Sequence, residues 1–345
     1  MSAPLYRVLR AGPLSLRWEP RLAALCLVLA GVLIVLAVAV MGTGSMSIAP
    51  DRVLAGLFGS SGDAVADRVI QRIRLPRVVT ALFVGAALGL SGAVFQSLSR
   101  NALGSPDIIG FTTGAATGAV AQIVLFNAGP LATALSAIGG GMAAAAVVYL
   151  LSLRDGGSGG YRLVLVGIGI GAMLGAVTII LLARGNIDEA MSAQLWLAGS
   201  LNTRTWMHAL TAALGFAVAA PIVLALAGPL GVLELGEDAA RGLGMAVERS
   251  RLALVMAAVV LAAAATAAAG PIAFVALAAP HLVRGLARSA GLPLASAALM
   301  GAVLMLAADL LTQTLPVRAM MPIGLTTGLL GGLYLLGLLV RAKRI

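Results

Sequence analysis

Ten times along this chain an apolar run, mostly about 20 residues long, is followed by a short polar connection. The runs cover 22–41, 78–98, 108–126, 130–153, 163–183, 206–226, 252–269, 271–283, 292–311 and 323–340, the Pro-bounded 271–283 being the shortest. Twenty residues of α-helix rise about 30 Å, the thickness of a bilayer's hydrocarbon core. Only 10% of the 345 residues are charged and the mean hydropathy is +1.04, whereas soluble domains carry about 25% charged residues. The chain therefore reads as an all-α polytopic membrane protein of about ten transmembrane helices. Forty-three glycines and 4% aromatics suit closely packed helices better than a barrel of strands.

An even number of crossings puts both termini on one side. Of the 23 arginines and lysines, 15 fall on that side and 8 on the other, so the positive-inside rule makes the termini cytoplasmic. The net charge of +10 then reports orientation and does not call for nucleic acid. Residues 1–21, with Arg7, Arg10, Arg17 and Arg21, form a cytoplasmic tail, and 22–345 the transmembrane domain. The basic flank resembles a signal peptide, but the run after it is too long for a signal h-region and reads as a retained first helix. The first external connection carries five of the eight outer arginines, against the rule, which asks for a specific role.

One polar island interrupts the oily chain, at about 230–251. It holds Glu234, Glu237, Asp238, Arg241, Glu248, Arg249 and Arg251, broken by Gly236, Gly242 and Gly244. Seven charges cannot sit in hydrocarbon, where each costs about 2.5–3.5 kcal/mol near the centre. The island must lie on a membrane face as short helical pieces joined by tight bends, either a docking platform for a soluble partner or a solvated loop.

Three glycine ladders of spacing four stand out: Gly110/Gly114/Gly118, Gly167/Gly171/Gly175 and Gly324/Gly328/Gly332. Each trio shares a helix face, which favours tight packing; Gly167–Gly175 also suits the wall of a pathway. Asp309 is the acidic residue inside an apolar run, read as a structural or external-gate residue and alternatively as a proton relay. The single lysine, Lys343, stands outside any G-x-x-x-x-G-K-[ST] motif, so no P-loop ATPase is written here. No triad or carboxylate pair supports an enzyme. Cys26 is alone and His208 and His281 are far apart, which gives no disulfide and no metal-ligand cluster.

Residues 270–284, GPIAFVALAAPHLVR, resemble the GPIGFVGL-(x)2-PH-(x)2-R signature of the FecCD/BtuC-type permeases, membrane subunits of ABC importers for ferric siderophores, haem and cobalamin. Arg74-Leu75-Pro76-Arg77 resembles that family's RLPR, and 85–96 its GA-x-L-x-x-SGA-x-x-Q. Arg100-Asn101 with Pro106 resembles RNPLA-x-P, and Trp196, Gly199, Ser200 and Leu201 its W-x-x-GSL. Residues 235–244 are similar to LGE-x-x-A-x-x-LG, and Pro322-Ile323-Gly324 to PxG. The signature and these six further segments stand in family order. The resemblance implies a type II ABC importer permease fold: two permease subunits, identical or paralogous, two cytoplasmic ATPases, and a periplasmic or lipid-anchored binding protein in a bacterial inner membrane. It implies ATPase coupling by Glu237, Asp238, Arg241, Gly242 and Gly244, and binding-protein docking by Arg74 and Arg77.

The chain departs from the family in places. Gln313 stands where an arginine usually follows the intramembrane aspartate, and Arg318 is a candidate substitute for docking and charge. Ala102 replaces the RNP proline, Gly331-Gly332-Leu333 the usual GAP, and the gate loop is glycine at Gly159 and Gly160. With Gly167, Gly171, Gly175 and Asn186 these form the expected pathway and gate set. The resemblance implies an importer of ferric siderophores that needs no cofactor of its own; the residues alone leave a proton- or sodium-coupled carrier using Asp309 as the rival.

Overall fold

The computed structural model describes residues 7–11, 14–44, 46–153, 160–287, 293–314 and 321–342. Its crossing helices are α1 (Pro20–Gly42), α4 (Leu75–Ser99), α5 (Phe111–Leu125), α6 (Pro130–Ser152), α7 (Gly160–Arg184), α9 (Trp206–Ala225), α12 (Val247–Ala269), α13 (Val275–Ala287), α14 (Leu294–Thr314) and α15 (Ile323–Ala342). Seven of the described helices are long and apolar enough to span alone, and α5, α13 and α15 are shorter apolar ones. Each expected run is matched by a helix. The third and eighth start later than expected, at Phe111 and Val275, because Gly110 (φ +82°) and the Gly270–Phe274 segment (φ +78° and +69° at its ends) break the helix.

The connections hold the departures. The tail contains an antiparallel strand pair, β1 (Arg7–Ala11) and β2 (Leu14–Trp18), a local exception to the all-helical reading. The first connection folds as α2 (Pro50–Leu57), α3 (Ala64–Val69) and one π-helical turn, Ile70–Arg74, leading directly into α4. The stretch 184–205, expected as a polar loop, contains α8 (Ile187–Leu197), and the island is α10 (Ala227–Glu234) and α11 (Glu237–Gly242). Gly236, at φ +114°, makes the bend between them.

The helices α4 and α12 form the centre and are mostly buried; α1 and α7 are mostly exposed. Small residues put them there, because lipid offers no hydrophobic drive between helices and contact requires backbones to approach closely. On α4, Gly85 and Gly89 lie against the α14 carbonyls of Gly301 and Ala297, and Gly92 against the α13 carbonyl of Ala276, where a Cβ would overlap the oxygen. Buried polar side chains add glue: Ser91 donates to Ala258 O (2.8 Å), and Gln96 to Leu277 O (3.0 Å). The ladders divide. Gly114 and Gly118 pack on α6, Gly167 and Gly171 on the Ile109–Gly110 backbone, and Gly324 on Ala198, whereas Gly175, Gly328 and Gly332 face open space.

Candidate functional site

α4 is 25 residues long, about 37 Å of rise, so its two ends lie on opposite faces of a bilayer core. The chain places a charged cluster at each end.

At the C-terminal end lies the island. Glu237, the first residue of α11, pairs with Arg251 of α12 (Nη2–Oε1 2.6 Å), whose side chain is only 4% exposed. The same guanidinium donates to Glu248 Oε1 (2.6 Å), and the Tyr149 hydroxyl at the end of α6 donates to Glu248 Oε2 (3.2 Å). Arg284 of α13 lies 3.6 Å from Glu234, the last residue of α10, and donates to Ser97 Oγ (3.4 Å) on α4. Arg241 is half-exposed and reaches Glu237 (3.3 Å) and Asp238 (3.5 Å) within its own helix. Such exposed pairs contribute at most about 0.5 kcal/mol, so Arg241 and the exposed Asp238 carboxylate are open to a partner. Gly242 and Gly244 have no neighbour that a Cβ would meet, and Gly244 turns the chain at φ +76°. The matched residues thus form an exposed ledge, and Arg251, Glu248, Tyr149, Glu234 and Arg284, which the sequence reading did not single out as a mount, fasten it to the bundle.

At the N-terminal end of α4, Arg77 meets Asp309 of α14. Arg77 Nη2 donates to Oδ1 (2.6 Å) and Nε to Oδ2 (3.0 Å), a two-point fork on a fully buried carboxylate. Gln313 adds a third donor (3.1 Å). Asp309, an acidic residue inside an apolar run, therefore has a cation from another helix, and Gln313 supports it in place of the usual arginine. Arg74 is turned inward, buried, and donates to the carbonyls of Met41 and Met46, which ties the end of α1 to the π turn. Both arginines expected at an outer docking contact have internal partners here. Among the described residues, the exposed cations of this face include Arg52, Arg68 and Arg72 in the first connection and Arg184 at the end of α7. Arg318 lies outside the described residues, as does Gly159.

The remaining predicted positions separate. Asn186 caps α8: its side chain accepts from Glu189 N–H (2.9 Å) while Glu189 reaches back to the Asn186 N–H (3.1 Å). The sequence carried that signal, Asn-x-x-Glu before an apolar run, and it would have located α8. Gly160 opens α7. On the Arg77 face, three distant motifs close on one point: Ser200 N–H donates to Ala269 O (2.8 Å), Gly199 approaches the Pro271 carbonyl, and Gly324 N–H donates to Gly199 O (3.4 Å). The Asp107 carboxylate lies beside Thr112 and the main-chain N–H of Phe274, a phenylalanine at φ +69°.

Residues 30–341 match the FecCD transport family. The chain is a FecCD transport family protein. It is 44% identical over 331 residues to the ferric enterobactin transport system permease protein FepG of Escherichia coli, covering 94% of this chain and 98% of FepG. It is 36% identical over 335 residues to the hemin transport system permease protein HmuU of Yersinia pestis, covering 95% and 98%. A solved inward-facing structure of a metal-chelate type ABC transporter superposes with a TM-score of 0.83 at 32% identity, over 93% of this chain and 99% of that one. Membership in the FecCD family makes this a multi-pass membrane transport permease subunit. Apart from 85–96, which packs along the middle of α4, the FecCD segments of the sequence meet at the two ends of α4 and beside α8.

Proposed function

We propose that this chain is the membrane-spanning subunit of an ABC importer that passes a ferric siderophore into the bacterial cytoplasm, with ATP hydrolysed by two separate subunits. The observation that carries the reading is the end-to-end likeness to the ferric enterobactin permease. The face bearing α10 and α11 is cytoplasmic, as are both termini, and α11 seats in an ATPase through Glu237, Asp238, Arg241, Gly242 and Gly244. A second permease subunit, a copy or a paralogue, completes the pathway along α7, where Gly175 leaves space and Gly167 and Gly171 admit a closely packed backbone; Gly159 and Gly160 form its inner gate. ATP hydrolysis in those subunits biases which face is open, and a chelate released from the binding protein moves through when the inner side opens.

The opposite face receives the binding protein. Arg52, Arg68 and Arg72 make first contact with its acidic residues, because they are exposed, whereas Arg74 and Arg77 shape the platform beneath them.

The reading is tested by uptake of 55Fe presented as a panel of siderophores, with haem and cobalamin as further arms, in cells with and without this chain. Each arm carries a protonophore control at maintained ATP. Loss of uptake of one ferric chelate, insensitive to the protonophore, is expected. Uptake that collapses with the proton gradient would reject the ABC reading.

A further inference from the structure

On the α11 face, one guanidinium joins the exposed ledge to the interior. Arg241 stands half-exposed on α11; its neighbour Glu237 shares one oxygen with it and gives the other to Arg251 at 2.6 Å. Arg251 lies in the second turn of α12, nine-tenths and more buried, and its other nitrogen donates to Glu248 at 2.6 Å. Glu248 in turn accepts from Tyr149 on α6. A continuous chain of ion pairs and hydrogen bonds runs from the surface of α11 through α12 to α6. Just before it, Gly236 leaves the backbone free to turn at φ +114°, so α11 is hinged from α10 and held by Arg251.

We propose that Arg251 is the positioning residue that converts displacement of α11 into movement of the spanning bundle. The apolar residues under α11 can slide past their neighbours, since dispersion contacts have no direction. A buried guanidinium gripping two carboxylates cannot: its planar fork fixes orientation, and parting it from Glu237 strips it of one of its two charged acceptors in a poorly polarisable site. When α11 is pulled, α12 follows. α12 packs on α4, α6 and α9, so movement delivered there reaches the centre of the molecule. This assignment rests on α11 being the ATPase seat, and it adds that seating and transmission are separable and that Arg251 belongs to the second.

The experiment uses the whole transporter in proteoliposomes, with ferric enterobactin as probe cargo, and reads three quantities: co-purification of the ATPase, its hydrolysis rate, and cargo moved per ATP. In Arg251→Gln the ATPase is expected to co-purify and hydrolyse as in the parent, while cargo per ATP falls about tenfold. Arg251→Lys keeps the charge without the fork and recovers part of the loss. Glu248→Gln and Tyr149→Phe, which leave α11 untouched, lower the same ratio by about threefold. An unchanged ratio in Arg251→Gln overturns the proposal. So does an inserted Arg251→Gln protein that no longer holds the ATPase, since Arg251 would then shape the seat. Should Arg251→Gln not insert, Glu248→Gln decides: a lowered ratio supports transmission and an unchanged one rejects it. Arg241→Glu reports on the seat independently: lost co-purification is expected, and full co-purification removes the docking reading and the transmission role of Arg251 with it. An unchanged ratio in Arg251→Gln beside lost co-purification in Arg241→Glu rejects transmission alone.

Discussion

The Arg77–Asp309 pair shows how a single residue's surroundings decide between two functions. A lone carboxylate inside a membrane helix is a natural proton site, but here its two oxygens take three donors, two from Arg77 and one from Gln313. Protonating it would strand the guanidinium, so the pair reads as a staple between α4 and α14. Removing one member of a buried pair costs about 3–5 kcal/mol, whereas replacing both by apolar groups is often close to neutral. Asp309→Leu and Arg77→Leu should each lower the thermal midpoint of the purified protein strongly, and the double variant should recover most of the loss. Additive losses in the double variant would mean that the two side chains do not act as a pair. The pairing itself was invisible in the sequence: the partners are 232 residues apart, and a one-dimensional pattern carries no register between helices.

Among elements, the ten crossing helices were legible because a bilayer imposes length and apolarity on each of them independently of its neighbours. The short ones in polar connections were harder: α8 carried a readable signal in its Asn186–Glu189 capping box, whereas α2 and α3 depend on local caps and on packing against the bundle. The glycine ladders fall between these cases, since spacing identifies a face but not what covers it. On α15 this distinction is testable. Gly331 faces the Cβ and ring of Phe274, whereas Gly332, the next residue, faces nothing within 4 Å. Phe274 cannot retreat by rotating its ring, because its own Cβ is in the contact and its backbone is held at positive φ. Gly332→Ala should therefore insert and transport normally, gaining up to about 1 kcal/mol of helix stability. Gly331→Ala should lower the yield of folded protein and the thermal midpoint, with overpacking costing about 1–3 kcal/mol. Equal behaviour of the two variants would place α15 differently against α13. The family's alanine in this motif matches position 332, so its loss here is sterically silent.

Over the whole molecule, the two charged faces differ in how their charge is held. On the α11 face, cations and anions are interleaved and paired, with Arg251 and Arg284 each joining separate elements. On the opposite face, the structural arginines 74 and 77 are withdrawn into the bundle, and Arg52, Arg68 and Arg72 remain exposed around it. Exposed charges act at a distance and are screened by salt over about 8–10 Å, whereas buried pairs hardly respond to it. The two arginine sets should consequently separate by experiment. Reversing Arg52, Arg68 and Arg72 together to glutamate should slow association of the binding protein by about tenfold at low salt, with the difference shrinking as salt rises and the thermal midpoint unchanged. Reversing Arg74 or Arg77 should instead lower the midpoint at every salt concentration, since each leaves internal acceptors without their donor. Surface binding of the loaded binding protein to the reconstituted permease, measured across a salt series, reads both. Association that is indifferent to the exposed set and sensitive to a folded Arg74 or Arg77 variant would return docking to the inner arginines and require them to leave the partners that hold them.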